Sequence, residues 1–146
     1  MCQASYAAKI LKRSGLVNCN SVQIPMEARQ KLSKKSIAPP VDATQYRSIV
    51  GSLRYLVNTR LDISDAVGII SRFMESPTTQ HMVAVKQILR YVRGTLDLEC
   101  MYMKKGEQEP HLVRYSDSDM AGDMDDRKST TGVAYYLGSN LVTWVS

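Results

Sequence analysis

The hydrophobic pattern changes its period once along the chain, near residue 95. Before that point apolar side chains recur every three or four residues, which is typical of amphipathic helices. From Leu96 onward apolar and polar residues alternate, which is typical of half-buried strands. Because the helices come first and the strands second, the pattern predicts an α+β fold with an antiparallel sheet.

The first part of the chain contains four segments with helical spacing. A short amphipathic helix is predicted over Ser5–Ser14, followed by Gly15 as its end. Three more helices are predicted to begin near Asp42, near Asp62 and at Thr79, and to pack as a small bundle. Their predicted buried positions are Tyr46, Ile49, Val50, Leu53, Leu56, Val57, Ile63, Ala66, Val67, Ile70, Phe73, Met74, Met82, Val85, Ile88, Leu89 and Val92.

The segments around these helices carry simpler signals. Residues Val17–Pro40 contain three prolines and a lysine cluster, which predicts a linker with little packing of its own. The last helix should run over Thr79–Arg93, with Gly94 as its stop. His81 lies near the start of that helix and has no partner at metal-binding spacing, so we expect it at the surface.

The second part of the chain is predicted to be an antiparallel meander of about four strands. Their spans are Leu96–Lys104, Leu112–Ser116, Val133–Leu137 and Leu141–Trp144. Gly138-Ser139-Asn140 separates the last two and is a hairpin signal.

An acidic loop separates the second and third predicted strands. It holds five carboxylates, Asp117, Asp119, Asp123, Asp125 and Asp126. A carboxylate at a strand end suits a hard divalent cation such as magnesium, which prefers oxygen ligands and keeps several waters. Asp-rich loops are more often solvated turns, in which the side chain accepts hydrogen bonds from nearby backbone. The residues alone leave both interpretations open.

Composition narrows the class of protein. The net charge of +5 is uneven, because residues 1–60 carry ten basic and two acidic side chains, whereas residues 61–146 carry nine and twelve. Three cysteines lie far apart without metal or disulfide spacing, which indicates reduced thiols. No run is long and apolar enough for a membrane span or a signal peptide. We therefore expect the cytoplasm or nucleus, and no membrane partner.

One basic row is a candidate nucleic-acid interface. Lys86, Arg90 and Arg93 are spaced by four and by three, so they share one face of the last helix. Such a face can follow a phosphate backbone without reading its sequence. It can also be an ordinary solvated face, which is the commoner outcome.

Several long, ordered stretches carry a family resemblance. Tyr115–Gly132 reads Tyr-Ser-Asp-Ser-Asp-Met-Ala-Gly-Asp-Met-Asp-Asp-Arg-Lys-Ser-Thr-Thr-Gly. It resembles the opening of the ribonuclease H domain of copia-type retrotransposon polyproteins. Upstream, Tyr46–Leu56, Thr59–Ile63, Ser71–Met74 and Ile88–Thr95 resemble the segment that joins reverse transcriptase to that domain. The resemblance covers nearly the whole chain.

The resemblance implies a division into three parts. Residues 1–41 would be a thumb-like helix and linker, 42–95 a helical connection segment, and 96–146 a partial ribonuclease H-like meander. Two positions depart from the family pattern, because Met120 stands where the family usually has Trp and Leu61 where it usually has Pro. These changes would weaken packing under the acidic loop and alter the approach to a helix.

The resemblance also implies incomplete chemistry. Ribonuclease H cuts the RNA strand of an RNA–DNA hybrid with two divalent ions, usually magnesium, held by several carboxylates. Asp117 matches the family's first metal ligand, and the others come from positions beyond Ser146. We therefore expect no enzyme activity, no cofactor in the isolated chain, and at most weak binding to an RNA–DNA hybrid or other nucleic acid. An exposed sheet edge would favour self-association or a protein partner.

A second function belongs to a different class. Short proteins of this resemblance have also been described as secreted pathogen effectors of the Arg-x-Leu-Arg type that suppress plant host cell death. The nearest match here is Arg90-Tyr91-Val92-Arg93, which departs at its third position and lies in a predicted helix. Under this alternative the chain would be secreted into a host cell and act by interaction.

Overall fold

Two separate units make up the fold. The computed structural model describes residues 3–27, 32–98, 111–119, 130–138 and 140–145. Contacts divide the chain into a helical unit, Cys2–Leu98, and a strand unit, Glu99–Ser146. Within the described residues the elements are helices followed by an antiparallel sheet, which confirms the predicted α+β class.

The helical unit contains every described helix. These are α1 (Ala4–Arg13), α2 (Ala43–Val57), a 3₁₀ turn (Leu61–Ile63), α3 (Ser64–Ser71) and α4 (Thr79–Gly94). Asp42 caps α2, where its side chain accepts a hydrogen bond from the Thr44 N–H at 2.8 Å. The helix expected to start near Asp62 instead begins at Ser64, because the residues before it form the 3₁₀ turn.

The core of this unit follows the helical spacing. All predicted buried positions are either buried or packed as partly buried residues against the same apolar cluster, and α1 adds Ala7, Ile10 and Leu11. Tyr46 is fully buried, and its hydroxyl donates to the Ile70 carbonyl at 2.8 Å. Burial raises the pKa of that hydroxyl, so it stays a neutral donor joining α2 to α3.

The segment between α1 and α2 packs more than its composition predicts. Leu16 donates its N–H to the Leu11 carbonyl. The side chains of Leu16, Met26 and Leu32 pack against the core. Further along, the Thr79 N–H donates to the Pro39 carbonyl at 2.9 Å. The prediction of a linker with little packing is therefore wrong for its described residues, because the segment lies along α4 and covers part of the core.

His81 also differs from its prediction, because it is fully buried. Its Nδ1 accepts the Thr78 N–H at 3.0 Å and forms a capping box at the start of α4. Its Nε2 lies 3.2 Å from the Ser33 carbonyl, and its ring stacks on Phe73 with centroids 4.0 Å apart. The His81 ring is buried because it contacts three segments of the chain, through Thr78, Ser33 and Phe73.

The strand unit is an antiparallel sheet in the order β1-β2-β3 within its described residues. The strands are β1 (Leu112–Asp119), β2 (Thr130–Leu137) and β3 (Asn140–Val145). The expected hairpin joins β2 to β3, with Gly138 at a φ of 63°. Of the earlier strand predicted over Leu96–Lys104, residues 96–98 are turn or irregular backbone, and residues 99–104 lie outside the described residues.

Gly94 is needed at its position because another segment approaches it closely. It is the last residue of α4, and a Cβ placed on it would lie 2.7 Å from the Ser21 Cβ. Such a distance requires the loop to shift. The glycine therefore allows residues around Ser21 to lie directly on the end of α4.

Replacing Gly94 by alanine is expected to lower the free energy of unfolding by about 1 to 2 kcal/mol through this overlap. The matched control is Gly51→Ala in α2, where no atom lies within 4 Å of the added Cβ. That change should stabilise by about 0.5 to 1 kcal/mol, since alanine is the better helix former. Urea unfolding of both variants measures the difference, and equal midpoints would contradict it. Adding Ser21→Gly should restore much of the stability of Gly94→Ala.

Candidate metal carboxylates and candidate nucleic-acid interface

The strand unit places the first candidate metal ligand near the end of β1. The backbone of Asp117 pairs with Gly132 of β2, and Asp119 pairs with Thr130 two positions further on. The other three aspartates of the acidic loop lie outside the described residues. Within the described part of the chain, no three His, Cys, Asp or Glu residues form a group that could hold a metal ion. The role of Asp117 as a metal ligand therefore stays a prediction.

The candidate nucleic-acid residues lie on α4. Lys86 and Arg93 are exposed and Arg90 is partly exposed. Arg90 Nε donates to the Asn20 carbonyl at 2.7 Å, and Arg93 Nε donates to the Val17 carbonyl at 2.8 Å. The two arginines thus hold the loop after α1 against α4. No pattern in the sequence predicted these contacts.

A buried arginine joins the 3₁₀ turn to the end of α4, and its ion-pair partner Asp62 is partly exposed, with 30% of its side chain accessible. The Arg60 side chain is 5% exposed and pairs with Asp62, with Nε to Oδ1 at 2.8 Å and Nη2 to Oδ2 at 2.7 Å. Arg60 Nη1 and Nη2 also donate to the carbonyl and hydroxyl oxygens of Thr95, at 2.8 and 2.7 Å. The guanidinium lies 5.9 Å from the Tyr91 ring centroid. We call Arg60, Asp62, Tyr91 and Thr95 the arginine clamp.

Contacts within the arginine clamp shift the pKa values of Arg60, Asp62 and Tyr91. Burial opposes ionisation of Asp62, but hydrogen bonds and positive charge from Arg60 outweigh it and hold the pKa of that carboxyl below its usual value. Burial would likewise lower the pKa of Arg60, yet Asp62 raises it overall. Burial and the Asp62 carboxylate raise the pKa of the Tyr91 hydroxyl. The charged pair is therefore the stable form at neutral pH.

The lowered pKa of Asp62 predicts an acid-dependent loss of stability. A carboxyl whose pKa is lower in the folded state stabilises the fold above its unfolded pKa, and this contribution disappears as the pH falls through the folded pKa. The stability difference between the parent and Asp62→Asn should thus shrink from about pH 5 towards about pH 2. Urea unfolding over this range measures it. Asp65→Asn, at an exposed position nearby, is the control, and a pH-independent difference for Asp62→Asn would contradict the prediction.

The family-like stretches correspond to these contacts. Thr59–Ile63 supplies Arg60 and Asp62, and Ile88–Thr95 supplies the clamp residues of α4, the two loop-binding arginines and Gly94. Sequence reasoning used these stretches as family signals and missed their packing roles. An arginine and an aspartate two residues apart, beside a predicted helix start, are a common surface pattern, so no local signal shows that the arginine is buried.

No helix in the described part of the chain has both the length and the apolar character needed to cross a membrane.

The chain is similar to transposon polyproteins over nearly its full length. The retrovirus-related Pol polyprotein from transposon RE1 of Arabidopsis thaliana is 44% identical over 144 residues, covering 99% of this chain and 10% of the polyprotein. The corresponding polyprotein from transposon TNT 1-94 of Nicotiana tabacum is 42% identical over 151 residues, covering 99% of this chain and 11% of the polyprotein.

A third relative has a different description. The secreted RxLR effector protein 161 of Plasmopara viticola is 40% identical over 102 residues, which are 69% of this chain and 70% of that protein. No protein-family model and no solved structure matches the chain. The chain spans about a tenth of the polyproteins it matches. Over nearly its whole length the chain is therefore similar to one segment of retrovirus-related transposon Pol polyproteins.

Proposed function

We propose that this chain is a catalytically incomplete remnant of a copia-type retrotransposon reverse transcriptase and ribonuclease H, with at most weak affinity for nucleic acid. The observation that carries this proposal is the match of 44% and 42% identity to two Pol polyproteins over 99% of the chain. The strand unit would be the opening of a ribonuclease H-like sheet. Its antiparallel order and the place of Asp117 on β1 support that assignment.

Ribonuclease H chemistry needs several metal ligands. Two-ion hydrolysis of a phosphodiester requires several carboxylates held at fixed positions. Asp117 lies on β1 and is the one ligand that the family resemblance assigns to this chain. On that ground we propose that Asp117 is a vestigial ligand, that the isolated chain binds no cofactor, and that magnesium acts in the intact domain.

The charge of the helical unit supports the nucleic-acid contact. Residues 2–98 carry fourteen Lys and Arg against six Asp and Glu, a net charge of +8, whereas residues 99–146 have a net charge of −3. A compact basic unit attracts the phosphate backbone without sequence preference. Lys86, Arg90 and Arg93 are the residues proposed to make this contact.

The test is binding of the purified chain to an RNA–DNA hybrid over a salt series, with magnesium present and the strands examined for cuts. We expect affinity that falls steeply with salt, and intact strands. Magnesium-dependent cleavage abolished by Asp117→Asn would overturn the non-catalytic assignment. Absence of binding even at low salt would overturn the nucleic-acid assignment and leave the family relationship alone.

A second candidate function is a recruited interaction protein that acts as a secreted effector in a plant host. The observation that favours it is the 40% identity to the effector of Plasmopara viticola over 69% of the chain. The strands β1 and β3 are the outer strands of the described sheet and would offer backbone groups to a protein partner or a second copy. The stretch Arg90-Tyr91-Val92-Arg93 lies in α4 with Val92 buried, so we assign it a packing role instead of a sorting role.

Expression of the chain in plant leaves with a cell-death elicitor tests this candidate. Suppression of cell death by the chain, and not by a core-disrupted Ile88→Asp variant, would support it. Cell death equal to that with an unrelated protein of similar size would contradict it.

A further inference from the structure

Arg90 and Arg93 are held in the same way by the loop after α1. Each donates its Nε to a backbone carbonyl, Arg90 to Asn20 and Arg93 to Val17. The terminal nitrogens of both groups contact no acceptor within the part of the chain that the structure describes. A guanidinium held through Nε still presents the edge formed by its two terminal nitrogens, and that edge matches two phosphate oxygens.

We propose that Arg90 and Arg93 form a pre-organised site for the phosphodiester backbone of a nucleic acid, positioned by the carbonyls of Val17 and Asn20. This inference rests on the proposed nucleic-acid contact and assigns it to a defined geometry. An unrestrained arginine loses rotamer freedom when it binds a phosphate, whereas these two have already lost part of it to the loop. The loop therefore lowers the entropic cost of binding.

The spacing of the row suits consecutive phosphates of one strand. Lys86, Arg90 and Arg93 lie within eight residues of α4, a rise of about 10 Å at 1.5 Å per residue. A row of this length is on the scale of neighbouring phosphates along one strand of a duplex. Lys86 is exposed and would act as a point charge, while the two arginines would make bidentate contacts.

Arg47 is a matched control within the same unit. Its Nε donates to the Met74 carbonyl at 2.9 Å, so it also holds a chain segment through a single backbone bond. It lies on α2, where no other basic residue is found three or four positions away. A substitution at Arg47 therefore changes the same kind of contact outside the row.

The experiment measures the affinity of the full chain for a short RNA–DNA hybrid over a salt series. The double variant Arg90→Lys and Arg93→Lys keeps both charges but loses the planar edge and the Nε contact. We expect it to bind about tenfold more weakly, with little change in the salt slope. The variant with glutamine at both positions should also lower the slope by about two. Arg47→Lys should bind as the parent does.

Gly94→Ala tests the role of the loop, because its Cβ would displace Ser21 while both arginines remain. We expect weaker binding at an unchanged salt slope, measured at temperatures where each variant is folded by circular dichroism. Parent-like affinity of the double lysine variant would overturn the pre-organised site and leave the proposed function standing. An equal loss in Arg47→Lys would also overturn it. Absence of binding by the parent would instead remove the nucleic-acid contact itself.

Discussion

Asp62→Ala is expected to lower the free energy of unfolding by about 2 kcal/mol, because the buried Arg60 guanidinium loses a partly exposed counter-charge. The change leaves the Arg60 guanidinium, 5% exposed, without its counter-charge and with two of its hydrogen-bond acceptors removed. Thr95 keeps its own two contacts to Arg60, so part of the arginine clamp survives. Urea unfolding at neutral pH measures the loss.

A second substitution separates the cost of an unpaired charge from the cost of lost packing. In the double variant Arg60→Met and Asp62→Ala no buried charge remains, so we expect it to be more stable than Asp62→Ala alone. Asp65→Ala removes the same charge at an exposed position in the first turn of α3 and should cost less than about 1 kcal/mol. If Asp62→Ala matches Asp65→Ala, the clamp contributes little to stability.

His81→Ala is expected to lower the free energy of unfolding by about 3 kcal/mol. The fully buried ring stacks on Phe73, and its removal leaves a cavity at the start of α4. It also removes the acceptor for the Thr78 N–H and the contact with the Ser33 carbonyl. The loss should therefore combine a cavity with a broken helix cap.

His81→Gln distinguishes these two contributions. Glutamine at this position can accept the Thr78 N–H as in an ordinary capping box, but it cannot stack on Phe73. We expect it to recover about 1 kcal/mol relative to alanine. Thermal and urea unfolding of the two variants provide the comparison. A stability of His81→Gln equal to that of His81→Ala would show that the cap contributes nothing.

The two predicted effects share one structural basis. Arg60 and His81 are polar residues of a kind usually found at the surface, but both are buried because they join segments that are distant along the chain. Arg60 contacts Thr95 across 35 residues, and His81 lies against Ser33 across 48. The family-like stretches Thr59–Ile63 and Ile88–Thr95 supply the contact between Arg60 and Thr95, whereas His81 and Ser33 lie outside those stretches.

In the candidate sites, the sequence predicted the positions of the residues but not their long-range contacts. The sequence placed Lys86, Arg90 and Arg93 on one helix face, and α4 has these residues at that spacing. The carbonyls of Val17 and Asn20, which hold the two arginines, lie more than 65 residues away and had no sequence signal. Asp117 was placed on a strand before the acidic loop, and β1 contains it. Its role as a metal ligand stays a prediction.

The amino-acid sequence by itself determined the helices, their buried faces and the β2–β3 hairpin. These features depend on residues three or four positions apart, or on one turn, so their signal is local. Only the tertiary structure decided that the described residues of the segment between α1 and α2 pack along α4, that His81 is internal and that Arg60 is paired. Those outcomes depend on which distant carbonyl, ring or carboxylate meets each side chain when the helices pack, and hydrophobic periodicity does not record polar partners.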